Sequence, residues 1–153
     1  MFTKTFITNN EQETIKLAER FATLAENKDV FALYGTLGVG KSVFSRAFIQ
    51  KLTQAEEVPS PTFTLVQSYS YGNTEIYHFD LYRLKSPEEV FELGFEEAIY
   101  GGISLIEWPE KAGYLLPKDV FKVNITAQND QRIFEITVSS PDKAARLEKI
   151  DAD

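Results

Sequence analysis

The chain has 153 residues, 43% hydrophobic and 25% charged, the balance of a soluble globular protein with one domain. It has no cysteine, which excludes disulfides, thiolate metal clusters and a cysteine nucleophile. The formal charge of −7, with no basic run, opposes unaided binding to a nucleic-acid backbone, whose phosphates need clustered Lys and Arg. In chain order, TKTFIT reads as a short strand. Thr8 with Glu11 three residues later fits a capping box. Ile15, Ala18, Phe21, Ala22 and Ala25 then recur on one helical face, predicting a helix that ends near Asn27. DVFALYG is a buried strand, and SVFSRAFIQKL, with Phe44, Phe48 and Leu52 at four-residue steps, is a helix. TFTLVQSYSY and TEIYHFDLYR read as a hairpin about Gly72-Asn73. Ser86-Pro87-Glu88-Glu89 opens a helix that Gly94 ends or kinks and Gly101-Gly102 terminate. ISLIEW is another buried strand, VFKVNITAQ and RIFEITVSS a second hairpin, and PDKAARLEKI a short polar helix. MFTKTFITNNEQ lacks the apolar core of a signal peptide, and no apolar run approaches the ~18 residues of a membrane span. A cytoplasmic location, with no membrane partner, is the expectation.

Between the second strand and the second helix lies GTLGVGKS, residues 35 to 42, which fits G-x-x-x-x-G-K-[ST] completely. By chance the pattern arises in about one chain in 200, and the strand before and helix after make chance a poorer account still. Glycines let successive backbone N–H groups turn toward one anion, and the helix N-terminus adds about half a positive charge. The expected nucleotide-binding segment is therefore Gly35, Thr36, Leu37, Gly38, Val39, Gly40, Lys41, Ser42 and Val43, with Lys41 on the β- and γ-phosphates and the Ser42 hydroxyl on Mg²⁺. The bland alternative is a tight strand-to-helix turn with a solvated lysine. The predicted fold class is α/β: a P-loop NTPase-like mixed central sheet, partly parallel with antiparallel hairpins, helices on both faces, in a single domain over 1–153.

Mg²⁺ takes oxygen ligands, and two carboxylates end strand patterns: Asp80 after IYHF and Glu107 after SLI. Ligands of such sheets bind at these carboxyl ends. Either residue has a local reading too, Asp80 as a partner of Arg83 and Glu107 as a cap or surface carboxylate. Thr62, in Ser60-Pro61-Thr62-Phe63, is placed to sense a γ-phosphate or else belongs to a rigid turn. His78, the single histidine, reads as packed rather than catalytic, and Trp108 as core or interface packing. Aromatics crowd SYSYGNTEIYHF, and Phe91, Phe95 and Tyr100 lie in a polar helical region, so both stretches are candidate partner surfaces. Asn27-Lys28 is followed by Asp29 without the spacer residue of a guanine-reading motif, and no glycine follows Asp80 at three residues, so ATP is favoured.

Taken in order, GTLGVGKS, SPTFTLV, YHFDLYRL and LIEWPEK resemble the TsaE family over roughly residues 8 to 135. The resemblance implies a small bacterial ATPase of tRNA threonylcarbamoyladenosine biosynthesis, binding ATP and Mg²⁺ and hydrolysing ATP slowly. It implies work with the TsaB and TsaD proteins, which modify an adenosine beside the anticodon, and contact with tRNA only through that complex. It further implies that Ser42 and Glu107 ligate Mg²⁺, that Asp80 is the Walker B-like aspartate and that Thr62 is the switch threonine. Trp108 matches the family's tryptophan, and Arg132 and Glu11 match nucleotide contacts. Thr36, Val39 and Ser42 stand where family loops commonly carry Asp, Ala and Thr, so one carboxylate beside the phosphates is missing. Two other functions fit the loop: a P-loop kinase of a small metabolite, and a non-hydrolysing ATP-gated scaffold. A kinase would need an arginine-rich lid, whereas the arginines here are scattered at 20, 46, 83, 132 and 146.

Overall fold

The computed structural model describes residues 1–36 and 38–150. Leu37, named above in the nucleotide-binding segment, lies outside the described residues. Seven strands form one mixed sheet: β1 (Phe2–Thr8), β2 (Val30–Tyr34), β3 (Val66–Tyr71), β4 (Thr74–Asp80), β5 (Ile103–Glu107), β6 (Phe121–Gln128) and β7 (Gln131–Val138). Their order is β1-β7-β6-β2-β5-β4-β3. The central pairs β6–β2, β2–β5 and β5–β4 are parallel. Antiparallel pairing of β1 with β7, β7 with β6 and β3 with β4 completes the margins. The predicted α/β class, with a parallel centre and two hairpins, is the one observed.

β2 is where the apolar run VFALY has its effect. A strand flanked by parallel neighbours is covered on both faces, so it needs no polar alternation. Phe31 and Leu33 enter one core, and Val30 and Ala32 enter the other. The first core is roofed by α1 (Glu11–Leu24) and α2 (Lys41–Thr53), and it also takes in Leu147 of α4 (Pro141–Glu148). Its centre is aromatic: Phe31 stacks on Phe121 at 4.7 Å between centroids, and Phe21 meets Phe6, Phe31, Phe44 and Phe121. Each such side chain stabilises the fold by about 1.5–3 kcal/mol through burial. The second core lies beneath α3 (Phe95–Gly101) and two 3₁₀ segments, Pro87–Leu93 and Pro109–Leu115.

Several local expectations shift. The first helix is capped by Asn10, whose side chain accepts the Glu13 N–H at 2.9 Å, while the Glu13 carboxylate accepts the Asn9 N–H. The reciprocal cap is therefore two residues later than the Thr8–Glu11 pairing, because Thr8 still belongs to β1 and spends its hydroxyl on Thr14 at 2.8 Å. The helix stops at Leu24, three residues short of Asn27, where Ala25 turns extended. The strand expected to begin at Thr62 begins at Val66, because Leu65 adopts a left-handed conformation (φ 70°) and ends a turn that starts at Pro61. The helix after Ser86 is 3₁₀ as far as Leu93, and Gly94 (φ 72°) separates it from α3.

The C-terminal helix is held by a buried ion pair. Arg146 donates two hydrogen bonds to the Asp29 carboxylate, at 2.6 and 2.8 Å, and another to the Leu24 carbonyl. The two bonds from Asp29 outweigh burial and raise the already high pKa of the guanidinium. Removing one member of a buried pair strands the other, at about 3–5 kcal/mol. Arg146→Ala is therefore expected to lower the thermal midpoint by about 10 °C, measured by calorimetry at neutral pH. An unchanged midpoint would show that this pair does not hold α4 in place.

Candidate functional site

Parallel strands point their carboxyl ends the same way, so Tyr34, Asp80 and Glu107 finish β2, β4 and β5 along one margin of the sheet. Asp80 and Glu107 are register partners on neighbouring strands. The glycine-rich loop leaves from the end of β2 and runs into the N-terminus of α2. Gly35 makes the first turn at φ 148°, against the backbone of β6: a Cβ there would meet Val39 at 2.7 Å and the Ile125 carbonyl at 2.9 Å. Gly40 caps α2 at φ 119°, with no side-chain capping bond and no acidic residue in the first turn. The positive helix end is thus left for an external anion.

Lys41 is nearly buried (4% exposed). Its Nζ donates to the Gly35 carbonyl at 2.7 Å and sits 3.5 Å from the centroid of the Trp108 ring. Desolvation pushes its pKa below the usual lysine value, and the charges of Glu107, Glu110 and Asp80 oppose that shift. Trp108 reaches this position because its backbone is left-handed (φ 59°, ψ 50°), a conformation that costs about 1–3 kcal/mol in a residue with a bulky side chain. Pro109 follows it and disfavours the right-handed helical alternative. The Tyr82 ring also packs against the indole, tilted, at 4.9 Å between centroids.

The two carboxylates are tied down differently. Asp80 accepts the Tyr82 N–H on Oδ1 at 3.1 Å and the Thr62 hydroxyl on Oδ2 at 3.1 Å. Thr62 also shares a hydrogen bond with Ser60 at 2.7 Å. Glu107 accepts the Ser42 hydroxyl on Oε1 at 3.3 Å and meets His78 Nε2 through Oε2 at 2.6 Å. A pairing of Asp80 with Arg83 is not made; the Arg83 guanidinium lies over the exposed Phe63 ring instead.

Two clefts of about 200 Å³ flank the loop and share Gly38, Gly40 and Val43. One, the inner cleft, adds Lys41, Ser42, Thr62, Asp80, Glu107 and Trp108. The other, the outer cleft, adds Asn10, Glu11, Val39 and Arg132, together with Thr14 and Asp130. Each is smaller than a usual ligand pocket of about 300–1,000 Å³, so a nucleotide-sized ligand has to span both. Glu11 and Arg132, far apart in sequence, share the second cleft because β1 pairs with β7 and Thr8 is the register partner of Arg132. Arg132 Nε donates to the Val39 carbonyl at 3.1 Å, fastening the loop to the hairpin. Thr36 is exposed on the loop and lines neither cleft.

The structure brings the glycine-rich loop and both strand-end carboxylates together, and adds two contacts that sequence reasoning missed. His78 is buried, as expected of a packed residue, yet its ring is bonded to a site carboxylate. Strand alternation carried a signal here: His78 lies two residues before Asp80 and so shares its face of β4. Trp108 packs against the second core, as its sequence context suggests, and its ring also covers the loop lysine. Of the candidate partner aromatics, Phe91 and Tyr100 are exposed, but Phe95 and Phe79 are core.

Comparison with known proteins follows this geometry. The family model described as "Threonylcarbamoyl adenosine biosynthesis protein TsaE" matches residues 8–134. A protein of Rickettsia conorii named "tRNA threonylcarbamoyladenosine biosynthesis protein TsaE" is 43% identical over 145 residues, covering 94% of this chain and 83% of that one. A Bacillus subtilis protein of the same name is 36% identical, covering 87% and 83%. A crystal structure of Bacillus subtilis YdiB superposes with a TM-score of 0.82 at 28% identity, covering 97% of this chain and 94% of that one.

The close approach at Gly35 yields a test. Gly35→Ala is expected to cost about 1–3 kcal/mol from backbone strain and contact with Val39 and Ile125. Gly38→Ala, whose Cβ would meet nothing within 4 Å, is expected to cost less. Thermal midpoints of the two variants decide it, and equal losses would show that the contact with β6 is not what holds the loop.

Proposed function

Because the chain belongs to the TsaE family of threonylcarbamoyl adenosine biosynthesis proteins, we propose that it is an accessory ATPase that acts on the TsaB–TsaD pair in the cytoplasm. On this reading it binds ATP on residues 35–43, hydrolyses it slowly and meets tRNA only through that complex. The observation that carries the reading is the convergence on one loop of Lys41, Ser42, Asp80, Glu107 and Thr62. The glycine-rich loop and the N-terminus of α2, which no side chain caps, suit a triphosphate. Lys41 gives up the Gly35 carbonyl for phosphate oxygens, which restores to a desolvated ammonium the anionic partner it lacks. Glu11 and Arg132 line the outer cleft and would contact the rest of the nucleotide.

The donor set suits Mg²⁺ arriving with the nucleotide. Ser42, Glu107 and Asp80 offer oxygen atoms only, and among the described residues no cluster of three or more His, Asp or Glu forms a metal cage. Magnesium commonly takes one or two carboxylates plus substrate phosphates, and when bound it would neutralise charge on the transferring phosphoryl group. Asp80 holds the Thr62 hydroxyl at the mouth of the inner cleft. Thr62 is therefore placed to exchange that bond for one to the γ-phosphate, coupling the nucleotide state to the 60–64 turn. Glu107 and Asp80 are the groups available to orient a water and accept its proton.

The chain works as a single domain in this proposal, since one sheet organises both cores. The kinase alternative is disfavoured by the arginines. Arg146 is held by Asp29 and Arg83 covers Phe63, and of the five arginines Arg132 is the one among the described residues lining the two clefts, in the cleft it shares with Glu11.

Two measurements test the proposal. Lys41→Ala removes a charge-assisted bond of about 1.5–3 kcal/mol and is expected to weaken ATP binding by roughly 10- to 100-fold in calorimetry. In the parent chain, ATP should also change the emission of Trp108, the single tryptophan, as Lys41 leaves its ring. Unaltered affinity in a folded variant would remove Lys41 from the phosphate site. Separately, phosphate release is expected to rise when TsaB and TsaD are added. Asp80→Asn and Glu107→Gln should lower that release far more than they lower ATP affinity. Full turnover in both variants at equal Mg²⁺ would refute the carboxylate roles, and no hydrolysis by the parent chain with its partners would leave the scaffold reading.

A further inference from the structure

His78 is 2% exposed, and Glu107, which it touches, is 4% exposed. The contact is short, 2.6 Å between Nε2 and Oε2, and it is buried. An ionised carboxylate only accepts, so the ring hydrogen in this bond sits on Nε2 and is donated to Oε2. The other ring nitrogen, Nδ1, is buried without a hydrogen-bond partner. The imidazole therefore gives its single hydrogen bond to Glu107 and leaves a polar atom unsatisfied in doing so, which costs free energy. A phenylalanine or leucine would remove the Nδ1 penalty but leave Oε2 of a buried carboxylate without its partner. The histidine is therefore explained by what it does for Glu107, not by packing.

The geometry of Glu107 shows what that is. Its carboxylate is divided, with Oε2 taken by His78 and Oε1 facing the Ser42 hydroxyl at the start of α2. Glu107 ends β5 beside Asp80, so an unheld side chain would be free to rotate, offering either oxygen or both. We infer that His78 is a positioning residue: it pins Oε2 of Glu107 from beneath so that Oε1 alone is presented to the loop. The device uses strand alternation: His78 and Asp80 share a face of β4, and Glu107, the register partner of Asp80 on neighbouring β5, lies on that same face of the sheet. A histidine held by one bond to a ligating carboxylate acts as outer-shell groups do around metals, fixing the ligand's orientation rather than touching the ion. The inference rests on the proposed ATP–Mg²⁺ reading of the loop, because pinning one oxygen matters only if the other meets a cation.

The test compares ATP binding in EDTA with ATP binding in Mg²⁺, by calorimetry, for the unaltered chain, His78→Phe and His78→Gln. In the unaltered chain Mg²⁺ is expected to tighten binding. In His78→Phe that enhancement should fall by about 10- to 100-fold, the range seen for outer-shell substitutions, while affinity in EDTA stays within about two-fold. In His78→Gln, whose amide N–H can still reach Oε2, most of the enhancement should return. A merely structural role would lower thermal stability without separating the two affinities. A folded His78→Phe with full Mg²⁺ enhancement would overturn the inference and leave the ATP reading intact. A parent chain that binds ATP equally with and without Mg²⁺ overturns the Mg²⁺ reading and this inference with it. Should His78→Phe fail to fold, His78→Asn, whose amide stops short of Glu107, takes its place, and full enhancement there overturns the inference equally.

Discussion

The burial of β2 on both faces and both edges is the constraint from which the site follows. Its five residues lie between β5 and β6, with a phenylalanine-rich core on one face and on the other a smaller core of mainly aliphatic residues around Phe79 and Phe95. So placed, the strand can end only at the margin of the sheet, and the chain must reverse there into α2. Gly35 makes that reversal within contact distance of β6, where a Cβ would have no room. The loop is thus a consequence of how β2 is packed: a rigid strand hands its direction to a helix across a few residues. The same parallel pairing carries Asp80 and Glu107 to that margin side by side, although they are 27 positions apart. The glycine-rich loop and the two carboxylates meet because both hang from strand ends that point one way.

The charges of the site are poised rather than satisfied. Lys41 rests on a backbone carbonyl and an indole face, neither of which carries a full negative charge, while three carboxylates act on it from nearby. Desolvation depresses its pKa more than those carboxylates raise it. A polyphosphate entering the cleft supplies charge at the place where the lysine lacks it, in surroundings drier than water and so electrostatically stronger. Strain is stored next to it in the left-handed backbone of Trp108, the residue between Glu107 and Pro109. Strained positions of this kind persist only where the surrounding packing holds them, here by Tyr82 against the indole.

The surface beside the site carries an exposed aromatic group. Phe63 is 82% exposed beside Thr62, with Arg83 lying over its ring. Thr62 connects that exposed turn directly to Asp80. A change in what Asp80 and Thr62 hold would therefore move an aromatic group at the surface, which is the physical requirement for a nucleotide state to be read from outside. The net charge of −7 opposes the approach of a polyanion to that surface.

By itself the amino-acid sequence determined whatever depends on short-range pattern: the loop GTLGVGKS with its flanking strand and helix, the two hairpins about Gly72-Asn73 and Asn129-Asp130, and carboxylates at the ends of apolar strands. These are legible because phosphate binding by backbone N–H groups needs glycine at set spacings, and strand and helix periods repeat within a few residues. Boundaries were less legible, since Thr8 and Asn10 are equally good caps locally and only the pairing of Thr8 with Arg132 in the sheet assigns it to β1. The tertiary structure alone decided that Glu11 and Arg132 share a cleft, that Trp108 covers Lys41 and that His78 grips Glu107. Each of those contacts joins residues 29 to 121 positions apart, and so depends on strand order, register and a backbone angle at one residue. No local propensity encodes such distances; they are set when the strands find their neighbours and the two cores close around β2.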